Sequence, residues 1–434
     1  MDDREDHDDG GRIKLAMNAR QDCVVSTAFP VSSVRLERPC LLRNAMDRVI
    51  RFSNGAAAQT KEGADHAAFI ERQGCALKIV HVVETWVGGI SSYVTALMIE
   101  QRSYGHNVVL VCDPHNMDAA RFEVDGINVV PYRSSRNPLR FVSISCAIRK
   151  TIKMLHADVI HCHSSYPGVY VRLGSFGEAK VLYTPHAWSF MKKDISRMTA
   201  FAFAMIEKWL ARRCTRILCM SFDEVRAANK YGIEQDKLEL VYTGIPTDMA
   251  AEQIDTDTEA VGHSARHIHV GYFGRLDYQK GFDILVDALP LLKDHLQVHV
   301  FGTAVRGGVA MPDGTPCVTY HGWVDPEEAG RAMRKMDAIV VPSRWEGLAL
   351  VPIEAMRAGK VLVVSSESSL PEQVIHGYNG LMLRQLTGAC LAEQLNSLSI
   401  DECRRMGANS RHVFDQAFSA EKFFKSLMNY YESA

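Results

Sequence analysis

Two glutamates eight residues apart, Glu346 and Glu354, carry the strongest chemical signal in this 434-residue chain. They lie in PSRWEGLALVPIEAMRAGKVLVVSS. The pattern puts Glu346, with Gly347, in a strand-to-helix turn. Glu354 falls one turn inside the following helix, whose first turn takes Pro352. Backbone N–H groups of Leu348, Ala349 and Leu350 then point out of the helix start, where partial positive charge suits an anion such as a diphosphate. A carboxylate just before such a helix can accept sugar hydroxyls, and one inside it ribose hydroxyls. On spacing alone, two solvated surface glutamates are the competing reading.

Upstream, GYFGRLDYQKGFDIL places Arg275 and Lys280 between Gly274 and Gly281. One short glycine-flanked turn can aim both cations at a diphosphate, with glycine permitting close backbone approach. Charge builds on a departing diphosphate, and preorganised cations lower that barrier. In YTPHAWSF, His186 follows a strand and a Thr-Pro turn, which sets it at a sheet edge facing a cleft. His161 and His163 flank Cys162 in DVIHCHSSY; both side chains point the same way on a strand. No Asp, Glu or Cys ligand set accompanies them, so they read as cleft lining within reach of an acceptor, with no metal expected. Gly88-Gly89 opens a helix after a strand but lacks the third glycine of a dinucleotide fingerprint, which argues against an NAD enzyme.

The elements that must position these residues form two similar series. LKIVHVV from Leu77 is a β-branched apolar run, followed by the glycine turn, a helix ending near Gly105, and the strand NVVLVC. Further apolar runs follow at Asp158–Cys162, Lys180–Tyr183 and Arg216–Met220. From His269 a second series runs HVGYFGRL, VHVFG, VTYHGW, AIVVPS and VLVVSS, with helices at Gly281–Leu292, Glu327–Lys335 and Val351–Ala358 between them. The pattern predicts α/β architecture: two tandem Rossmann-like, doubly wound parallel-sheet domains with a ligand cleft between the carboxyl ends of their strands. The boundaries expected are an extension over 1–74, with a short helix near Cys40–Arg51, and a first domain over 77–246. A polar linker over 247–266 leads to a second domain over 267–415 and a terminal helix over 418–434 packing back on the first domain.

The Glu346–Glu354 segment resembles the E-x7-E motif of retaining family-four glycosyltransferases with the GT-B fold. Pro342-Ser343, Glu346-Gly347, Pro352, Glu354-Ala355-Met356 and Ala358-Gly359 all fall in place, and Leu348-Ala349-Leu350 stands where the family more often has Phe-Gly-Leu. Arg275 and Lys280 match the family's G-R-L…K-G phosphate site, His186 its T-x-H segment, and Gly88-Gly89 with Gly105-His106-Asn107-Val108 its glycine-rich opening. Thr243-Gly244-Ile245-Pro246 replaces the usual Asn-Gly-Val-Asp. The resemblance implies a nucleotide-diphosphate sugar donor, with Glu346 on sugar hydroxyls, Glu354 on the ribose and His186 beside the reacting centre. It further implies Arg275 and Lys280 on the leaving group, the Gly88-Gly89 turn facing the phosphates, and neither metal nor cofactor. It covers Leu77 to the end of the chain. The rivals are a nucleotide-sugar 2-epimerase on the same fold and a non-catalytic nucleotide-sugar-binding protein.

The formal net charge of −2 conceals an uneven distribution. From Arg133 to Arg216 there are 15 Lys/Arg against 4 Asp/Glu. Much of this excess lies in 191–216, where Met198, Phe201, Ala202, Met205 and Trp209 share a helical face among basic residues. Such a face suits either the core or an anionic lipid surface. No base-stacking or helix-turn-helix pattern points to nucleic acid. The 11 cysteines are scattered, and the chain opens on an acidic run rather than a basic signal sequence. The reading is a cytoplasmic enzyme of surface-polysaccharide synthesis, peripheral on the inner membrane face, with a glycan or polyprenyl-diphosphate-linked acceptor.

Overall fold

The computed structural model describes residues 76–84, 86, 89–114, 127–135, 137–246, 267–304 and 317–432. The extension over 1–74, Gly88 and the linker over 247–266 lie outside the described residues.

Short β-branched runs build two all-parallel sheets. The first contains β1 (Lys78–Val83), β2 (Asn107–Cys112), β3 (Asn128–Pro131), β4 (Val159–His163), β5 (Lys180–Thr184), β6 (Arg216–Cys219) and β7 (Leu238–Leu240). Their order is β3-β2-β1-β4-β5-β6-β7. Parallel strands need crossovers, and helices supply them: α1 (Gly89–Ser103), α2 (Pro138–Leu155), α3 (Ser165–Arg172), α4 (Arg197–Ala211) and α5 (Phe222–Lys230). Cover on both faces explains why β4, VIHCH, is buried along its whole length.

The second sheet contains β8 (Ile268–Phe273), β9 (Leu296–Phe301), β10 (Val318–Gly322), β11 (Ala338–Val341), β12 (Val361–Val364) and β13 (Gly380–Met382), ordered β10-β9-β8-β11-β12-β13. Its crossovers include α6 (Phe282–Ala288), α7 (Pro326–Lys335) and α8 (Leu350–Arg357), and α9 (Gly388–Asn396) and α10 (Ile400–Ala417) follow. Both sheets reverse strand order at their first strand, the switch point where such folds bind ligands at the carboxyl ends of the strands.

The last helix, α11 (Ala420–Glu432), crosses back to the first sheet. Phe423, Phe424, Leu427, Met428 and Tyr431 share one core with Ile79, Leu97 and Val108 of the first sheet layer and with Ile339, Met356 and Leu362 of the second. The Thr243–Pro246 turn receives the helix start: Ile245 N donates to Phe418 O at 3.0 Å, and Ala420 N donates to Ile245 O at 2.9 Å. Gly244 is required there, because a Cβ would stand 2.3 Å from Ser419 O.

Candidate active site

In the second domain, the segment after β8 folds back on the segment after β11. Gly281 adopts φ +69°, and a Cβ on it would lie 2.0 Å from Pro342 O. Arg344 N donates to Gln279 O at 2.8 Å, while Gln279 Nε2 donates to Trp345 O at 3.1 Å. These bonds bring Lys280 Nζ to 2.6 Å from Glu346 Oε1. Arg275 stands beside the pair, bonded to Gln279 Oε1 at 2.8 Å and 3.3 Å from Asp277 Oδ2. Its guanidinium is half-exposed and so open to an incoming anion. Gly274, at φ +153°, turns the chain between β8 and this basic segment.

Helix α8 starts directly beyond Glu346-Gly347. Its cap residue Ala349 has no side chain to bond the first N–H groups, and Leu348 and Ala349 are buried. The positive end of this helix therefore carries no side-chain cap from Ala349. Glu354 lies on the second turn, within a cleft it shares with Pro326, Gly330, Met333 and Arg357. Burial raises its pKa, and the charges of Arg357 and Lys280 oppose that rise.

The first domain meets this surface with two backbone segments. Gly89 opens α1, and a Cβ there would come 3.3 Å from Leu350 Cδ1 at the start of α8. Two helix N-termini thus converge from opposite sheets. At Gly347 there is no room for a Cβ, which would lie 2.7 Å from Ala187 N and 3.0 Å from His186 C. His186 and Ala187 both hold positive φ, 50° and 73°, a strained turn for residues other than glycine. Glu224 restrains it: Oε1 accepts from Ala187 N at 2.6 Å, its backbone O accepts from Trp188 Nε1 at 3.0 Å, and Oε2 accepts from Met220 N at 2.7 Å. Burial pushes the Glu224 carboxyl up to about 7 and the His186 imidazole down to about 3. The His186 imidazole is thereby held neutral.

The segment 367–372 joins the domains. Ser368 Oγ accepts from Glu346 N at 3.1 Å and lies 2.7 Å from Glu346 O and 3.3 Å from Asp223 Oδ2. Glu372 accepts from Phe222 N, Asp223 N and the Tyr242 hydroxyl at 2.6, 2.8 and 2.9 Å, so a carboxylate of the second domain caps helix α5 of the first. Lys193 pairs with Glu367 at 2.8 Å.

The structure therefore brings Lys280, Glu346, Gly347 and His186 into one contiguous site, with Arg275 beside it and Gly89 against Leu350. His161 and His163 are fully buried instead of lining the cleft, because β4 is covered on both faces. His81 of β1 lies beside them, and ligand-type atoms of all three histidines fall within 4.8 Å of one another. Sequence reasoning misses His81, Glu224, Ser368 and Glu372. Each acts on a partner distant along the chain or through a backbone contact that local pattern does not encode. Ser221 and Glu224 have capping-box spacing, yet the Glu224 carboxylate serves the turns at Met220 and Ala187 instead.

A sequence pattern described as Glycosyltransferase Family 4 matches residues 87–249, and one described as Glycosyl transferases group 1 matches residues 267–401. One falls on each sheet. The chain belongs to the family-four GT-B glycosyltransferases. Among relatives of this glycosyltransferase is a Klebsiella pneumoniae protein described as "Uncharacterized 41.2 kDa protein in cps region", 26% identical over 81% of this chain and 100% of its own length. A Mycobacterium tuberculosis glycogen synthase is 24% identical, covering 73% of this chain and 83% of that one. Among solved structures, Anabaena HepE in complex with UDP and glucose superposes with a TM-score of 0.67 at 18% identity, over 82% of this chain and 100% of HepE. The likeness to HepE is one of fold.

Proposed function

We propose that this glycosyltransferase takes a sugar from a nucleotide-diphosphate donor and transfers it, with retention, to a glycan or lipid-linked acceptor of surface-polysaccharide synthesis. The observation that carries the reading is the 2.6 Å Lys280–Glu346 pair beside an uncapped helix start and neutral His186. Arg275, Lys280 and the α8 N-terminus gather positive charge where a departing diphosphate would need it. Donor phosphate would draw Lys280 from Glu346, freeing that carboxylate for sugar hydroxyls; Glu354 would take the ribose. In the transfer, the bond from the anomeric carbon to the phosphate oxygen breaks and one to the acceptor oxygen forms on the same face. The acceptor proton passes to the leaving phosphate oxygen. Glu346 orients the sugar in this scheme and neither attacks nor removes a proton. Since cationic side chains carry the phosphate charge, transfer is expected to persist in a chelator.

The cps-region relative supports the polysaccharide setting, and the UDP- and glucose-bound fold neighbour supports the donor class. Transfer from a nucleotide sugar to a membrane-extracted acceptor, followed as nucleoside diphosphate release, tests the site. Lys280→Ala and Glu346→Ala are each expected to lower turnover by about a hundredfold or more while leaving the circular dichroism spectrum unchanged. Wild-type turnover by either variant would remove the assignment.

Helix α4 supports a membrane-side acceptor. Met198 is 84% exposed, Phe201 56% and Trp209 49%, so these three apolar side chains of the basic stretch stay out of the core. Lys192, Arg197, Lys208 and Arg212 lie in or beside the same helix. Among the described residues no helix is long and apolar enough to cross a membrane. The proposed contact is peripheral, from the cytoplasmic side.

A further inference from the structure

We propose that Gln101, His81 and His163 form a hydrogen-bonded file that fixes the tautomer of His186, so that His186 offers the donor sugar a bare Nδ1, a pure acceptor. The second half of this inference rests on the reading of His186 as a donor contact; the first half does not.

The file runs through the interior of the first domain. Gln101 Oε1 lies 2.7 Å from His81 Nε2, His81 Nδ1 lies 3.0 Å from His163 Nε2, and His163 Nδ1 lies 3.2 Å from His186 Nε2. Gln101, His81 and His163 are fully buried. Burial holds His81 at about 4, His186 at about 3 and His163 well below the usual imidazole value, so each ring is neutral and carries one N–H. Gln101 turns Oε1 and not Nε2 toward His81; an amide oxygen only accepts, so in this orientation His81 carries its hydrogen on Nε2 and its Nδ1 is bare. His163 must then donate from Nε2, which leaves its Nδ1 to accept from His186 Nε2. The hydrogen on His186 is thereby consumed inside the protein. Among the described residues its Nδ1 has no hydrogen-bond partner.

The surroundings hold the rings in place. His161 engages the Tyr431 hydroxyl through Nδ1 and Thr184 Oγ1, at 2.8 Å, through Nε2, and its ring centroid lies 4.0 Å from that of His163. Tyr93 meets His186 edge-on with centroids 5.0 Å apart. His81, His161 and His163 are also close enough together to ligate a metal ion. Every ring nitrogen of the three is already engaged in a hydrogen bond, and the group contains no carboxylate to offset a divalent charge, which favours the file. Gln101, His81 and His163 are positioning residues: they touch no substrate. The chemical consequence is selectivity. A bare nitrogen accepts from a sugar hydroxyl, repels a carboxylate and gains nothing from a deoxygenated position, so the donor must present a hydroxyl there.

Long-range proton–nitrogen spectra of histidine-labelled full-length protein read the tautomer directly, with His186→Gln supplying the assignment. The expected result is an unprotonated Nδ1 and protonated Nε2 on His186, and mixed tautomers there in Gln101→Met. That variant should also raise the donor KM about tenfold with a smaller change in kcat. A protonated His186 Nδ1 in the wild type overturns the file, as does an unchanged tautomer in Gln101→Met or one equivalent of bound metal by elemental analysis. The wild-type spectrum alone supports or overturns the file even where Gln101→Met does not fold. If the tautomer is as expected but His186→Ala leaves donor affinity intact, the file stands and the donor contact falls.

Discussion

Lys280 and Glu346 hold each other at 2.6 Å, an arrangement that aims the carboxylate proposed for the sugar and the ammonium proposed for the phosphate at one point. Their types and spacing were legible in the sequence, because a glycine-flanked basic turn and a strand–Glu-Gly–helix junction are local patterns. The four neutral histidines were not. His161 and His163 read as a strand-end pair, whereas a parallel sheet covered on both faces closes over them, and His81 joins His163 from 82 residues upstream. This nest is expected to make the fold acid-labile. His81, His161, His163 and His186 have folded pKa values depressed below the unfolded value, so their stability is present above about pH 6.5 and is lost as pH falls toward 4. Glu224 and Glu372, raised to about 7, act oppositely and retain protons that the unfolded chain releases between pH 4.5 and 7. With seven lowered histidines among the described residues, His106, His299 and His321 included, against four raised carboxyls, Glu100 and Glu354 included, a lower melting temperature at pH 5 than at pH 7 is expected by calorimetry; an equal or higher one would contradict the neutral nest.

Among the elements, helix α5 shows how the domains are joined. Ser221 Oγ takes Glu224 N at 3.2 Å, and Glu372 takes the N–H groups of Phe222 and Asp223 from the other domain. An N-cap supplied in this way ties helix stability to domain contact. Glu372→Ala should cost about 1–2 kcal/mol, measured by urea unfolding, and should loosen the approach of Gly347 to Ala187. A midpoint unchanged from wild type would show that the cap contributes nothing. Strand and helix positions were readable from β-branched runs and glycine stops, and α7, α8 and α11 fall within a residue or two of the expected bounds. Capping across domains is absent from any local window, since Glu372 and Phe222 lie 150 residues apart.

For the chain in its entirety, the formal charge of −2 combines a basic first-domain stretch with an acidic remainder. Structure resolves what periodicity left open: Met198, Phe201 and Trp209 of α4 are exposed, whereas Ala204, Glu207 and Leu210 face inward. Part of the basic excess is internally paired, as in the buried Arg172–Glu207 bridge at 2.7 Å, so the surface charge is smaller than the count implies. Cosedimentation with phosphatidylglycerol vesicles should be strong at low salt, weak at high salt, and reduced several-fold by Phe201→Ala with Trp209→Ala. Binding that ignores both lipid charge and these substitutions would count against a membrane-facing α4.

The transfer reaction proposed for this glycosyltransferase depends on a nucleotide sugar lying between the two sheets with its diphosphate on Lys280. Calorimetric titration of the wild type with UDP-, GDP- and ADP-hexoses measures that binding without an acceptor. One of these donors is predicted to saturate a single site, and Lys280→Ala is predicted to weaken it at least about tenfold while binding of the bare nucleoside stays the same. Absence of binding by every donor, or equal affinity in Lys280→Ala, would show that the diphosphate does not sit there.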